Sequence, residues 1–379
     1  MVQYSIFSTN YKSSKGRIFS EKDDPNRTCF MRDRDRIIHS SAFRRLKYKT
    51  QVFVHHEEDY FRTRLSHSLE VSQLSRSISK VFNINDDLTE SISLSHDLGH
   101  TPFGHAGEEV LNNKMKGKGG FNHNYQALKI LTVLEKKYLD FDGLNLTFET
   151  LDGILKHNGP ITSVLPNYIQ NFINFFGGKK KSQGSFEAQI AAICDDIAYN
   201  NNDIDDGLYA GLFEIEELNE LEIIKDALKK INLKKSKKYR RIKYELIRKL
   251  INIMVDDLIR NTKQNIQNFK IKNCNEILEL DKPLVIFGDE MKNKEKNLKV
   301  FLKNKMYNHP KVKTMNFKAK KIVSDLFDLY IDEPYLLPIS WRNFKNENEK
   351  YVNVSDYISG MTYNYAINIH KKYFDLYSH

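Results

Sequence analysis

Cysteine is scarce in this sequence: Cys29, Cys194 and Cys274 are the only three, and they lie far apart. An odd, dispersed set excludes a disulfide framework and a four-cysteine zinc site, and it leaves the three as packing residues of a reducing compartment. Tryptophan occurs once, as Trp341. No apolar run approaches the roughly 18 residues that a membrane span needs. The opening MVQYSIFSTNYKSSKGR has neither an apolar export region nor a small-residue cleavage site. A soluble, cytoplasmic protein with no membrane partner is therefore expected. Strand-like alternation is nearly missing too, with QVFV at 51–54 and LVIFG at 284–288 as the only candidates. What is plentiful is apolar and basic. A hydrophobic fraction of 40%, with 23 Phe and 20 Tyr, can cover a large core. The 59 Lys and Arg outweigh the 49 Asp and Glu to give a net charge of +10, which favours an anionic substrate or partner.

Apolar residues recur at three and four positions, as in Val71, Leu74, Ile78 and Val81, and again in Leu128, Ile130, Leu131 and Leu134. Helices are predicted near 66–82, 86–97, 104–115, 186–201, 213–232, 238–265, 311–332 and 354–374, so the fold class is all-α with a few short strands. FFGGKKKSQGS at 175–185 reads as a mobile loop, and KKSKKYRRIK at 234–243 as a solvated charge run entering a helix. The stretch NCNEILELDKPLVIFGDE breaks the helical pattern near residue 270, dividing a core unit, 1–270, from a mainly helical C-terminal region, 271–379.

Titratable residues concentrate in LSHDLGHTPFGHAGEE, residues 94–109. His96 and Asp97 fall at the predicted end of a helix, and Gly99 would stop that helix and turn the chain, so the pair can enter one pocket. Imidazole and carboxylate are the usual ligands of a borderline or hard divalent cation. A third ligand is available in YFRTRLSHSLEV, where His67 lies near a helix start with Arg64 one turn before it. A fourth is available in FEAQIAAICDDIAYNNNDIDDGL, where Asp195, Tyr199 and Asp203 share a helix face at spacings of four.

The segments RDRDRIIHSSAFRRLKYKTQVF, DYFRTRLSHSLEV, SHDLGHTPFGHAGEE, GGFNHN and CDDIAYNNNDIDDG occur in that order over residues 27–210. In them the chain resembles the HD-domain deoxyguanosinetriphosphate triphosphohydrolases. The resemblance implies an HD-domain helical fold with added C-terminal helices and a divalent metal on His67, His96, Asp97 and Asp195. Mn2+ or Mg2+ is the expected ion, with Co2+, Fe2+, Ni2+ and Zn2+ as alternatives. It implies hydrolysis of a dNTP, dGTP or several, at the α-phosphorus to deoxynucleoside and triphosphate. His100, His105, Glu108 and His123 would be catalytic, with His105 protonating the 5′ oxygen, the group that histidine is suited to serve near neutral pH. Arg64, Lys49, Tyr199, Asp203 and Arg248 would bind substrate, Tyr199 and Asp203 at the sugar and Arg248 as an inward-facing base in YELIRKLINIMVDDLI. Implied partners are a homo-oligomer, hexamer or dimer, a dNTP allosteric activator and single-stranded DNA. One motif departs: SGMTYNYA carries Tyr363 where the family has aspartate, a change at a local C-terminal contact.

His39, His55, His56, His157 and Cys194 read as packing or surface residues, and Glu109 as solvated. Two rival functions share the ligand set: an HD-type nucleotide phosphodiesterase, and a nucleic-acid-binding regulatory HD protein with a vestigial centre. GHTPFGH and DDIAYNNND weigh against the first, and the intact histidine set against the second.

Overall fold

The computed structural model describes residues 4–53, 60–163, 165–231 and 239–376. Val54, His55, His56 and the part of the charge run at 234–238 lie outside the described residues. The described residues are mainly helical, and pairing of strand type among them is limited to two isolated bridges, Thr50 with Thr63 and Lys136 with Gly143. No described helix is long and apolar enough to cross a membrane.

Three helices frame the centre of the molecule: Arg64–Phe82, Asp86–Ser95 and Phe186–Tyr209. Each begins where a side-chain oxygen takes up a free backbone amide of the first turn: Thr63 accepts from Ser66, Asn85 from Leu88 and Ser185 from Ala188. The first two approach closely because their shared face is small and hydroxylated. Ser75 meets Ser93 at 2.8 Å and Ser79 meets Thr89 at 2.9 Å. The hydroxyls of Ser93 and Ser95 satisfy themselves on carbonyls four residues back. These four hydroxyls, with that of Ser95, are thus buried without loss of hydrogen bonds.

Among the described residues, apolar side chains form three buried clusters. One joins Phe186–Tyr209 to Tyr239–Asn268 and Asp289–Leu302 and runs from Phe53 to Val312. The second packs the N-terminal helix Cys29–Ile38 against Asp86–Ser95 and Phe148–Leu155. The third fastens His105–Lys114 to the C-terminal helices Pro310–Asp332, Glu347–Ser359 and Tyr363–Phe374. Tyr363 is buried there.

Several sequence expectations are corrected in detail. The predicted helix 213–232 is two, Ile215–Leu218 and Glu222–Lys229. The predicted helix 354–374 is also two, because Thr362 caps a new start by accepting from the amide of Tyr365. The 186–201 helix continues to Tyr209. LVIFG is not a strand. Its amides at Leu284 and Val285 donate to Gln189 Oε1, and its carbonyls at Leu284 and Ile286 accept from Asn265 and Asn261, so side chains replace a neighbouring strand. Of QVFV, residues 51–53 are a bend beside the Thr50–Thr63 bridge.

Candidate metal centre and substrate pocket

The capping box at Thr63 and Ser66 starts a helix whose first turn turns Arg64 and His67 inward. Helix Asp86–Ser95 delivers His96 and Asp97 just past its end. Gly99 then allows a contact that no other residue permits: a Cβ there would stand 1.9 Å from the His123 carbonyl oxygen and 2.4 Å from the Ala127 nitrogen. Phe103 and Gly104, at φ of 65° and 57°, bend the chain so that helix His105–Lys114 can begin directly after the turn. The left-handed conformation of a phenylalanine is strained, and such strain concentrates at functional sites. Asn122 caps His123–Lys129 through the amides of Asn124 and Tyr125.

These elements bring His67, His96, Asp97 and Asp195 together. His67 Nε2 is 2.7 Å from Asp195 Oδ1, and His96 Nε2 is 3.5 Å from both Asp195 Oδ1 and Asp97 Oδ1. His96 Nδ1 lies 2.6 Å from the Ser93 carbonyl, which can only accept, so a proton sits on Nδ1 and Nε2 is the ring atom turned to the cluster, where a bound cation would take the place of a second proton. Asn202 steadies His67 from 3.3 Å. Arg64 Nη1 donates to Asp97 Oδ1 at 2.9 Å. Within these four residues two buried atoms form no hydrogen bond, His96 Nε2 and Asp97 Oδ2. Ligand atoms of His67, His96 and Asp97 lie within 4.8 Å of one another. Imidazoles and carboxylates with unspent buried lone pairs fit a divalent cation. The electrostatics agree. Burial opposes a charge on His96, but the carboxylates of Asp97 and Asp195 outweigh it and push its pKa up to about 9. Burial likewise works against both carboxylates, yet His96 and, at Asp97, Arg64 hold them well below the usual range. The cluster is built to hold positive charge.

A second group adjoins it. The rings of His100 and His123 stack at 4.2 Å, and His105 lies edge-on to His100 at 5.5 Å. Glu108 accepts from the His123 amide at 3.0 Å and meets His123 Nδ1 at 2.9 Å and His105 Nδ1 at 3.4 Å. Burial would raise the Glu108 pKa, but these two rings hold it far below the carboxylate range. His100 is kept neutral, its pKa well below 6.5 because it is buried and faces Arg64 and His123. His105 is the reachable one, with 65% of its side chain exposed.

Beside the second group opens a pocket of about 640 Å3, lined among others by Gln51, His105, Tyr199, Tyr307, Lys303 and Lys313, and its Tyr199 ring stands edge-on to His67 of the first group at 6.1 Å. The Tyr307 hydroxyl donates to Asp203. Burial pushes the Asp203 pKa up to about 8, against the lowering effect of that bond.

Two expected substrate contacts are elsewhere. Lys49 is buried with its ammonium spent on two carbonyls, those of His100 and, at 2.9 Å, Ser359, so it braces the backbone and does not face the pocket. Arg248 points outward, 69% exposed and paired with Glu245 one turn away. Lys243, five residues earlier on the same helix, is the basic residue turned inward, held by Asp205 at 2.8 Å. His157 is brought into the cluster: its Nε2 is 3.1 Å from Asp195 Oδ2 and its ring stacks on His96. Tyr307, Lys303 and Lys313 also went unnoticed in the sequence, and their only signal is the basic run KVFLKNKMYNHPKVK. Cys194 is buried as expected, His39 is exposed, and Glu109 is exposed beside Lys320.

A helical bundle with a His–Asp pair at one helix end, completed by a histidine and an aspartate from two neighbours, defines an HD-domain phosphohydrolase. The HD domain family matches residues 64–200, and the Phosphohydrolase-associated domain matches 285–372. The chain is 45% identical to the deoxyguanosinetriphosphate triphosphohydrolase-like protein of Parvibaculum lavamentivorans, over 98% of its own length and 96% of that protein's. It is 44% identical to the protein of the same name from Brucella suis (97% and 95%), and 42% identical to the deoxyguanosinetriphosphate triphosphohydrolase-like protein 1 of Mesorhizobium japonicum (98% and 95%). The chain belongs to this family of deoxyguanosinetriphosphate triphosphohydrolase-like proteins.

Proposed function

We propose that this chain is a metal-dependent dNTP triphosphohydrolase that cleaves at the α-phosphorus and releases deoxynucleoside and inorganic triphosphate. The observation that carries this reading is the pair of orphaned buried atoms, His96 Nε2 and Asp97 Oδ2, beside a separate histidine–glutamate group suited to proton transfer. The ligands are His67, His96, Asp97 and Asp195, and the ion Mn2+ or Mg2+. When bound, the cation supplies Lewis acidity to a phosphoryl oxygen. Arg64, whose Nε and Nη2 have no acceptor, takes a phosphate oxygen. Neutral His100 contacts the α-phosphate, and ionised Glu108 orients His105 and His123. His105 donates the proton that the 5′ oxygen needs in order to leave, and His123 orients the attacking water. Lys303 and Lys313 take the triphosphate tail, while Tyr199 and Asp203, joined by Tyr307, face the sugar. The substrate is dGTP or several dNTPs, and the working form is a homo-oligomer, with a dNTP activator and single-stranded DNA as further partners.

The test is a panel of all four dNTPs, singly and in pairs, with Mn2+, Mg2+ and Co2+, and products identified by mass spectrometry. Deoxynucleoside with triphosphate is expected. Release of dNMP with pyrophosphate overturns the reading, and cleavage of phosphodiesters alone selects the phosphodiesterase.

A further inference from the structure

A second cavity, of about 550 Å3, lies between the segment after the His123–Lys129 helix and the C-terminal turn at Gly360. It shares no lining residue with the pocket beside the metal cluster. Its walls carry Arg45, Gln126, Glu135, Trp341, Tyr357 and Ser359. Arg45 is half-buried and forms no hydrogen bond or ion pair with any described residue, and its Nε is sealed from solvent without an acceptor. Burial pulls its pKa down, the mark of a charge short of partners. Glu135, whose charge acts on Arg45, accepts from the amide of Ala42 through Oε1 at 2.7 Å and makes no hydrogen bond to the guanidinium. Of the other charges at the cavity, Lys136 pairs with Asp142 and Asp356 with Lys129, so Arg45 and the exposed Lys137 are left in excess over Glu135. The opposite wall is aromatic: the rings of Trp341 and Tyr357 lie 5.7 Å apart, and the hydroxyls of Tyr357 and Tyr365 meet at 2.9 Å.

We infer that this cavity is a second ligand site, one that takes a planar aromatic anion, and that its occupant steadies the catalytic turn. A guanidinium with free donors binds a carboxylate or phosphate through paired charge-assisted hydrogen bonds, and a ring of ordinary size fills the space against Trp341. The volume falls in the usual range of small-molecule sites, roughly 300–1,000 Å3. The route to the turn is short. Gln126 donates to Ser359 Oγ at 3.0 Å, the Ser359 carbonyl accepts from Lys49, and Lys49 also donates to the carbonyl of His100. A ligand that orders the Ser359 end of its helix therefore acts on the backbone of a residue in the histidine group.

Trp341 is the only tryptophan of the chain, so its fluorescence reports this cavity alone. Phenyl phosphate and benzoate, titrated into the full-length protein, are the probes, with inorganic phosphate and aniline as the anion without a ring and the ring without an anion. Saturable quenching by the aromatic anions and none by the controls is expected, and the tighter of phenyl phosphate and benzoate identifies the anionic group. Arg45→Gln weakens binding by about tenfold or more, and Lys137→Glu, at an exposed position that leaves folding unaffected, weakens it as well. Amides of residues 98–104 exchange more slowly when the cavity is filled. No saturable change in the wild type, or unchanged affinity in both variants, overturns the site, and binding without slowed exchange overturns the link to the turn. The titration needs neither metal nor hydrolysis, so its failure leaves the proposed reaction untouched.

Discussion

His157 Nε2 lies 3.1 Å from Asp195 Oδ2, while its ring stacks 5.1 Å from that of His96. One buried histidine thus orients two of the four residues grouped around the orphaned lone pairs. Outer partners of this kind govern metal affinity by about 10- to 100-fold. His157→Ala should lose metal affinity by such a factor and keep its helical circular dichroism. Equilibrium dialysis with Mn2+ is the measurement, and unchanged affinity would reduce His157 to a packing residue.

Removing a proposed ligand should act more strongly. His96→Ala or Asp97→Ala should abolish both tightly held metal and turnover. Elemental analysis of the purified variants decides the matter: full metal content with full activity would refute the assignment of the cluster.

The bond broken is read from oxygen isotopes. With attack at the α-phosphorus, label from H2(18)O should appear in triphosphate and not in the nucleoside. His105→Ala should slow turnover by about 100-fold or more, the usual scale of a general acid, at nearly unchanged metal content. Equal loss of metal and rate would instead make His105 structural.

In the proposed reading, Tyr199 and Asp203 select the sugar. Excluding a 2′-hydroxyl and losing one buried hydrogen bond is worth about 2–4 kcal/mol, or roughly thirty- to a thousandfold in kcat/KM. Tyr199→Ala should shrink the preference for a dNTP over its matching rNTP. Equal wild-type rates on both, or full discrimination in the variant, would remove Tyr199 as the gate.

Asp203 also predicts a pH dependence. Burial raises its pKa from 3.8 to about 8. The folded state therefore holds a proton that the unfolded chain releases, and this contribution to stability is complete below 3.8 and is lost as pH rises through about 8. Asp206, raised to about 6, adds a similar slope, so the comparison is the difference between wild type and Asp203→Asn. The asparagine variant should show a flatter fall of Tm over that window, measured by thermal denaturation. A parallel fall in both proteins would exclude Asp203 as its source.

The long amphipathic helices were legible because their apolar spacing needs no partner to be recognised, and the frame Arg64–Phe82, Asp86–Ser95 and Phe186–Tyr209 follows from it. The interruptions were not. Gly360 and Thr362 divide the last helices by a cap worth one or two hydrogen bonds, too local a signal to stand out from a continuous stripe. LVIFG was read as a strand, and its lack of a strand partner was not legible, because its backbone is satisfied by Gln189, Asn261 and Asn265, which sequence separates from it.

Sequence by itself determined which chemistry the chain carries, because residue type and motif order bring His67, His96, Asp97 and Asp195 into view before any fold is known. Tertiary structure alone decided where each long side chain ends. Lys49 and Arg248 read alike as free cations, yet one is buried and spent on the carbonyls of His100 and Ser359 and the other is solvated beside Glu245. His157 read as an ordinary packing histidine until the fold set it against Asp195. The physical reason is that a flexible cation or a lone imidazole takes its role from the partners within about 3 Å of it, and those partners are assembled only when distant segments pack.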